Sequence, residues 1–209
     1  MKNIVLIIIL VVAGYFIWNY AQQDSMMMAP KSSSQGEEMT SQNESNESEM
    51  AQSNENEVSG TAGYTAQKVY FGQPAQTVVG ETSGVSGTLI YADGILNAEV
   101  NVSTENLSTD SNMRDNDVRD LIGQTIQAEI SNAEVTLPFT QELFVALTIN
   151  GVTNDVPFEL TGAEIDEALT LSGTGTILMS DFGIDAPGNP NIYSVEDEII
   201  LSVNLVTEA

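Results

Sequence analysis

The sequence predicts a mainly β protein: an antiparallel barrel of about eight strands with one short helix, preceded by an N-terminal transmembrane helix and a disordered linker. Three observations carry this expectation. From Ala62 onward, short stretches alternate apolar and polar side chains with a period of two. Asn150-Gly151 and Asp93-Gly94 interrupt that alternation with the residue pairs that two-residue hairpin turns favour, because both central positions need positive φ. Ile4 to Trp18 is an unbroken apolar run at the other end of the chain.

Residues 1–22 read as a signal anchor. Ile4 to Ala21 is just long enough to cross a bilayer, since about 17 to 20 helical residues span the hydrocarbon core. Lys2 precedes the run, and Trp18 and Tyr20 fall where an aromatic interface belt forms. Cleavage after Ala21 or Ala29 would put Asn19 or Met27 where a signal peptidase needs a small residue, so an uncleaved anchor is preferred. The basic N-terminus would stay cytoplasmic, giving a single-pass protein of the cell membrane with its C-terminal domain on the extracytoplasmic side. Residues 23–61 are dominated by Ser, Asn, Gln and Glu and hold no aromatic residue. Such a stretch buries too little apolar surface to offset its chain entropy and reads as a disordered acidic tether. Asn-x-Ser matches at Asn43, Asn46, Asn101 and Asn106 are read as chance in a chain this rich in both residues.

Within residues 62–209, Val69 with Phe71 and then Thr77 to Val79 suggest two short strands, and Thr88 to Ala92 a third. After Asp93-Gly94, Leu96, Ala98, Val100 and Val102 alternate with Asn97, Glu99, Asn101 and Ser103, as in a sheet with one dry face. Thr109 to Gly123 reads as the helix. Asp110 or Ser111 can cap its start, Met113, Val118, Leu121 and Ile122 form a partial apolar stripe, and Asp115 and Arg119 are spaced for an ion pair. Gly123 can end it. Ile126, Ala128 and Ile130 then share one parity, which shifts by one to Ala133, Val135 and Leu137; that predicts a bulge at Ser131-Asn132. Val145, Leu147 and Ile149 form the inward row of the first arm of the Asn150-Gly151 hairpin, and Pro157 in its second arm implies a bulge or an edge position. Leu169, Leu171, Gly173, Gly175, Ile177 and Met179 keep one parity, with glycines that mark a bend or a close approach. Ile199, Leu201, Val203 and Leu205 do so in the last strand. Closing the sheet into a barrel removes its edges.

Composition excludes several function classes. Five basic residues stand against 30 acidic ones, a net charge of -25 at pH 7, so a partner held by its phosphates is repelled and nucleic acid is excluded. With no cysteine and no histidine, thiolate and imidazole chemistry is absent. Asp110, Asn112, Asp115, Asp117 and Asp120 cluster, yet Arg114 and Arg119 sit among them and no Ca²⁺-loop spacing is present; a solvated helix face is the better reading. Glu129, Glu134, Glu159, Asp181 and Asp185 could supply a pair of catalytic carboxylates, but in so acidic a chain no pair is distinguished. Asp181-Phe182-Gly183 lacks every other kinase element.

Several pieces in order resemble the YceI-like family, extracytoplasmic lipid-binding proteins with a lipocalin-like barrel. They are Ser86-Gly87-Thr88-Leu89, Arg114-Asp115 opening a helix after Ser108-Thr109, and Leu147 to Thr153 around Gly151. Asp181-Phe182-Gly183-Ile184 and Val195 to Ile199 complete the set. Asn116, Asp117 and Val118 depart from the x-His-Leu that usually follows Arg-Asp. Periodicity alone does not say whether Val100, Val102, Leu147, Ile149, Leu171, Ile177, Leu201 and Val203 fill a solid core or line a cavity. The resemblance implies a cavity holding a polyisoprenoid or similar lipid, with no catalysis, cofactor or metal. The partners it implies are an apolar lipid and the membrane, and a homodimer stays open.

Overall fold

The structure, a computed structural model, describes residues 56–189 and 191–208. The expected anchor and nearly all of the expected tether lie outside the described residues, among which no helix is long and apolar enough to cross a membrane. The elements are β1 (Val58–Tyr70), β2 (Ala75–Thr82), β3 (Val85–Ala92), β4 (Ile95–Ser103), α1 (Asn112–Ile122), β5 (Thr125–Glu134), β6 (Phe139–Ile149), β7 (Val152–Ile165), β8 (Ala168–Leu178), a 3₁₀ turn (Met179–Phe182), β9 (Gly188–Asn189) and β10 (Tyr193–Thr207).

Antiparallel pairing in the order β2-β1-β10-β8-β7-β6-β5-β4-β3 makes one ten-stranded sheet, curled as a half-barrel, with β9 added at the start of β10. The bend between β2 and β3 is clipped to β4: the Thr82 hydroxyl donates to the Ser103 carbonyl at 3.0 Å, and the Gly84 N–H donates to Thr82 Oγ1 at 3.0 Å. Counting β2 and β3 as halves of one bent strand, and setting β9 aside, leaves eight strands. The curl brings β1 against β3 through a Glu57–Thr88 bridge, where the Leu89 N–H donates to the Asn56 carbonyl at 2.9 Å.

Both predicted turns form with positive φ at both positions, 53° and 80° at Asp93-Gly94 and 51° and 77° at Asn150-Gly151. Between Leu96/Ala133 and Ala98/Ile130 the β4–β5 register gains one residue, and Asn132 has φ of 55°, so the expected bulge is present. At Pro157 the β6–β7 ladder runs through without a bulge. On its other side the β7–β8 ladder begins only at Phe158–Gly175, so Pro157 sits at a local edge where its missing N–H costs no bond. Phe182, from the 3₁₀ turn, is buried at 2 % exposure beside that split.

Two expectations need correction. The first strand is not a short one around Val69 and Phe71: it starts at Val58, ahead of Ala62, and Phe71 lies beyond its end, 85 % exposed. Gly60, Ala62, Tyr64, Ala66 and Lys68 carry little apolar bulk, so hydrophobic periodicity is silent there, and pairing with β10 and β2 on either side makes the strand. The Asp115–Arg119 ion pair does not form. Arg119 donates to the carbonyls of Asp115 and Glu105, both at 2.9 Å, and the ion pair on this helix joins Arg114 to Asp110.

The inner-face glycines of β8 mark close approaches. A Cβ on Gly173 would lie 2.1 Å from the Glu159 carbonyl oxygen, and one on Gly175 would lie 2.6 Å from the Phe158 ring. Gly173→Ala therefore lowers unfolding free energy by about 1–3 kcal/mol, whereas Thr174→Ala on the exposed face changes it by about 0.5 kcal/mol or less. Denaturant midpoints at constant slope check both; equal stability of the two variants would show that the strands part freely at Gly173.

Candidate functional site

Inward rows of the sheet pack solidly at one end and leave space at the other. Leu89 and Leu96 are 1 % and 0 % exposed and join Val58, Val135 and Phe139 in the closed end. Toward the end that carries α1 and the Asn150-Gly151 turn, the rows change to Ala62, Ala66, Ala98, Ala128 and valines, and a cavity of about 540 Å³ remains. Ligand cavities are typically about 300–1,000 Å³. Its wall is overwhelmingly apolar.

All eight residues that shared inward parity in the sequence, Val100, Val102, Leu147, Ile149, Leu171, Ile177, Leu201 and Val203, lie along this wall. They come from β4, β6, β8 and β10, so the curl of the sheet brings together side chains more than 100 positions apart. Helix α1 closes part of the open end with Met113, Val118, Leu121 and Ile122.

Among the residues shared with the family pattern, Arg114 lines the cavity and Asp115 is 5 % exposed. Asp115 Oδ1 accepts from the Thr109 N–H at 2.8 Å and the Thr109 hydroxyl at 2.6 Å. It therefore reaches back from the first turn to fix the loop that enters the helix. Ser111 occupies the N-cap position without a side-chain capping bond, contrary to the expected role of Asp110 or Ser111. Gly151 completes its turn with open space around it, and the neighbouring Asn150 amide donates to the Leu121 carbonyl, pinning the last turn of α1. Asp181 is exposed and its carbonyl accepts from the Asn154 amide at 3.0 Å; Phe182 is buried; Gly183 ends the 3₁₀ turn at φ of 68°. Asp197 ties that turn to β10, accepting from the Ser180 N–H at 2.9 Å and its hydroxyl at 2.5 Å. Those bonds, the hydroxyl's first, hold the Asp197 carboxyl below its usual range.

Periodicity missed the β1 contribution, which includes Ala62, Tyr64, Ala66, Lys68 and Tyr70, and also Tyr193 at the start of β10. Only the clustering of tyrosines with a lone lysine could have marked it. The Tyr64 ring lies against Gly80, where a Cβ would stand 2.3 Å from it, and its buried hydroxyl has no hydrogen-bond partner among the described residues. Burial pushes this phenol from 10.0 up to about 12, with the Arg114 guanidinium pulling the other way.

A sequence profile described as the YceI-like domain matches residues 52–207. The chain belongs to the YceI-like family. Two solved structures share the YceI-like fold seen here. A polyisoprenoid binding domain from Saccharophagus degradans, implicated in plant cell wall breakdown, has a TM-score of 0.54 at 12 % identity over 73 % of this chain and 98 % of its own. BcnA of Burkholderia cenocepacia has a TM-score of 0.54 at 18 % identity over 69 % of this chain and 96 % of its own. No match was found among curated protein sequences.

Because burial holds the Tyr64 phenol neutral in the folded chain while the unfolded chain ionises, stability is independent of this group below pH 10.0 and falls as pH rises from there through about 12. Ultraviolet titration should show one late tyrosine, and Tyr64→Phe should abolish that late phase. The same variant should be no less stable than the parent at pH 7, since a buried unpaired hydroxyl costs about 1–3 kcal/mol. A loss of stability would show that the hydroxyl has a partner.

Proposed function

We propose that this YceI-like protein is a membrane-tethered, extracytoplasmic carrier or reservoir that holds a long apolar chain, a polyisoprenoid or similar lipid, inside its curled sheet, which works as a closed lipocalin-like barrel. The apolar cavity of about 540 Å³ is the observation that carries this reading. A ligand-free barrel with a filled core would leave no such space. The Saccharophagus degradans neighbour, whose fold this chain shares, is described as polyisoprenoid binding. Tethering and an extracytoplasmic position rest on the apolar run from Ile4 to Ala21 behind Lys2.

Burial supplies the binding energy. Each methylene moved from water into such a wall gains about 0.8 kcal/mol, and part of that sum is spent on immobilising the chain. No covalent step is needed. The open end also suits exchange with a lipid surface: Phe71, Met113 and Ile192 are 85 %, 76 % and 54 % exposed. Met113 lines the cavity, and the other two adjoin Tyr70 and Tyr193, which also line it.

Solvent extraction of the purified protein followed by mass spectrometry should release a long-chain lipid. Val203 pairs across the sheet with Gly173, so Val203→Trp places an indole in the cavity. Lipid recovered and capacity for an apolar dye should both fall roughly tenfold, equivalent to about 1.4 kcal/mol, with the thermal transition retained. An empty extract from the parent protein together with no dye binding would rule out the carrier reading. Protease added to intact spheroplasts should digest the domain if it is extracytoplasmic, and protection would place it on the other side.

A further inference from the structure

The placement of charge around the cavity is opposite to that of the chain as a whole. The protein has 30 acidic residues, yet among the described residues Asp117 is the only one of them that lines the cavity. Lys68, Arg114 and Arg119 are the only lysines and arginines among the described residues, and two of these three, Lys68 and Arg114, lie in its wall. Arg119 is occupied by the backbone carbonyls of Asp115 and Glu105, and Arg114 by the Asp110 carboxylate. Lys68 makes no ion pair among the described residues.

Its ammonium group instead sits against two aromatic rings. Lys68 Nζ lies 4.1 Å from the centre of the Tyr193 ring and 4.8 Å from that of Tyr70, within the range of cation–π attraction. Those two tyrosines are directly paired across β1 and β10, with ring centres 6.1 Å apart, so the ladder itself fixes the sandwich. Held this way, the ammonium is positioned at the open end, with no hydrogen-bond acceptor or carboxylate partner among the described residues. Along the same inward row Ala62 stands six residues deeper in the wall, roughly 20 Å at the rise of a strand. Positive charge at the mouth and oil below it match one kind of molecule.

We propose that Lys68, between Tyr70 and Tyr193, is the head-group site for an anionic amphiphile, a long apolar chain ending in a carboxylate or a phosphate monoester. This rests on the reading of the cavity as a lipid site and adds which end of the lipid faces out and what charge it bears. A neutral hydrocarbon gains nothing from the ammonium, and a cationic head is repelled by it. The two anions share the chemistry that Lys recognises as a point charge, and a direct comparison separates them.

The test is displacement of a cavity-bound apolar dye from the purified full chain by hexadecanoate, hexadecyl phosphate, 1-hexadecanol and hexadecyltrimethylammonium, each below its micelle concentration. At least one anion should bind about tenfold more tightly than the alcohol, as a charge-assisted contact would give, and the cation should bind worst. The tighter anion names the head group. In Lys68→Gln the ratio of anion to alcohol affinity should fall to near one, and Lys68→Arg should restore most of it. High salt should shrink the ratio in the parent protein. Equal affinity for anion and alcohol in the parent, or a ratio unchanged in Lys68→Gln, overturns the head-group site while leaving the lipid cavity standing. Failure of all four compounds to displace the dye, with no lipid in the extract, sinks both.

Discussion

Unfilled apolar volume inside a curled sheet is the constraint on which the rest of this structure depends. Truncating side chains in a rigid core costs roughly 24 cal/mol per Å³ of void; at that rate a dry space of about 540 Å³ forfeits about 13 kcal/mol, comparable with the whole stability of an ordinary domain, about 5–15 kcal/mol. The fold meets this by dividing its interior. Leu89, Leu96, Val135 and Phe139 pack the closed end, while Ala62, Ala66, Ala98 and Ala128 hold the wall of the open end back. Main-chain ladders, which do not need a filled interior, carry the wall between them.

Those ladders are not uniform, and the irregularities lie where side chains can compensate. Strands β5 and β6 pair over only three residues, Gln127 to Glu129 with Ala146 to Thr148, and β7 leaves β8 beyond Phe158. At the second split Phe182 is buried among the strand ends, and Ser180, two positions before it, is fastened to Asp197 on β10. The run from Asp181 to Ile184 and the run from Val195 to Ile199, separated by only ten residues, are thus two sides of one joint. That gives a packing reason for the pieces that made the chain resemble its family.

How much of this was legible follows from what each signal measures. Turn chemistry was readable at Asn150-Gly151 and Asp93-Gly94 because glycine and its partner name a backbone conformation; it was unreadable at Asp166-Glu167, where φ is 52° and 70° without any glycine. Parity gave the direction of eight wall residues, and the slip at Ser131-Asn132, because a strand's period is fixed at two. Direction is not volume, however, so the choice between a filled core and a cavity waited on how far apart the rows stand. Strand β1 was hidden because its inward row of Gly60, Ala62, Tyr64, Ala66 and Lys68 is small or polar, which is the property that makes room at the mouth. The part of the wall that periodicity could not see is also the part that differs chemically from the rest.

Helix α1 decides how a ligand could enter. It lies across the open end and supplies wall residues, which invites the idea of a lid, but both of its ends are fastened. At its start Asp115 holds Thr109, and from its last turn Arg119 reaches to Glu105. At its finish Asn150 holds Leu121, and the buried Thr104 hydroxyl donates to the Gly123 carbonyl at 2.7 Å. Swinging the helix out would break all of these bonds together, several of them partly buried, with each buried donor or acceptor so freed costing about 1–3 kcal/mol. The other part of the rim is built from strand ends, tied by the Phe71 N–H donating to the Ile192 carbonyl at 3.0 Å. There the wall is formed by Lys68, Tyr70 and Tyr193, with Pro187 beside them, and the chain just outside it exposes Phe71 and Ile192. If the cavity holds a lipid as proposed, entry between the fixed helix and this aromatic rim would need side chains to turn while the ladders stay intact, and the residues that meet the chain first would be those that line the mouth.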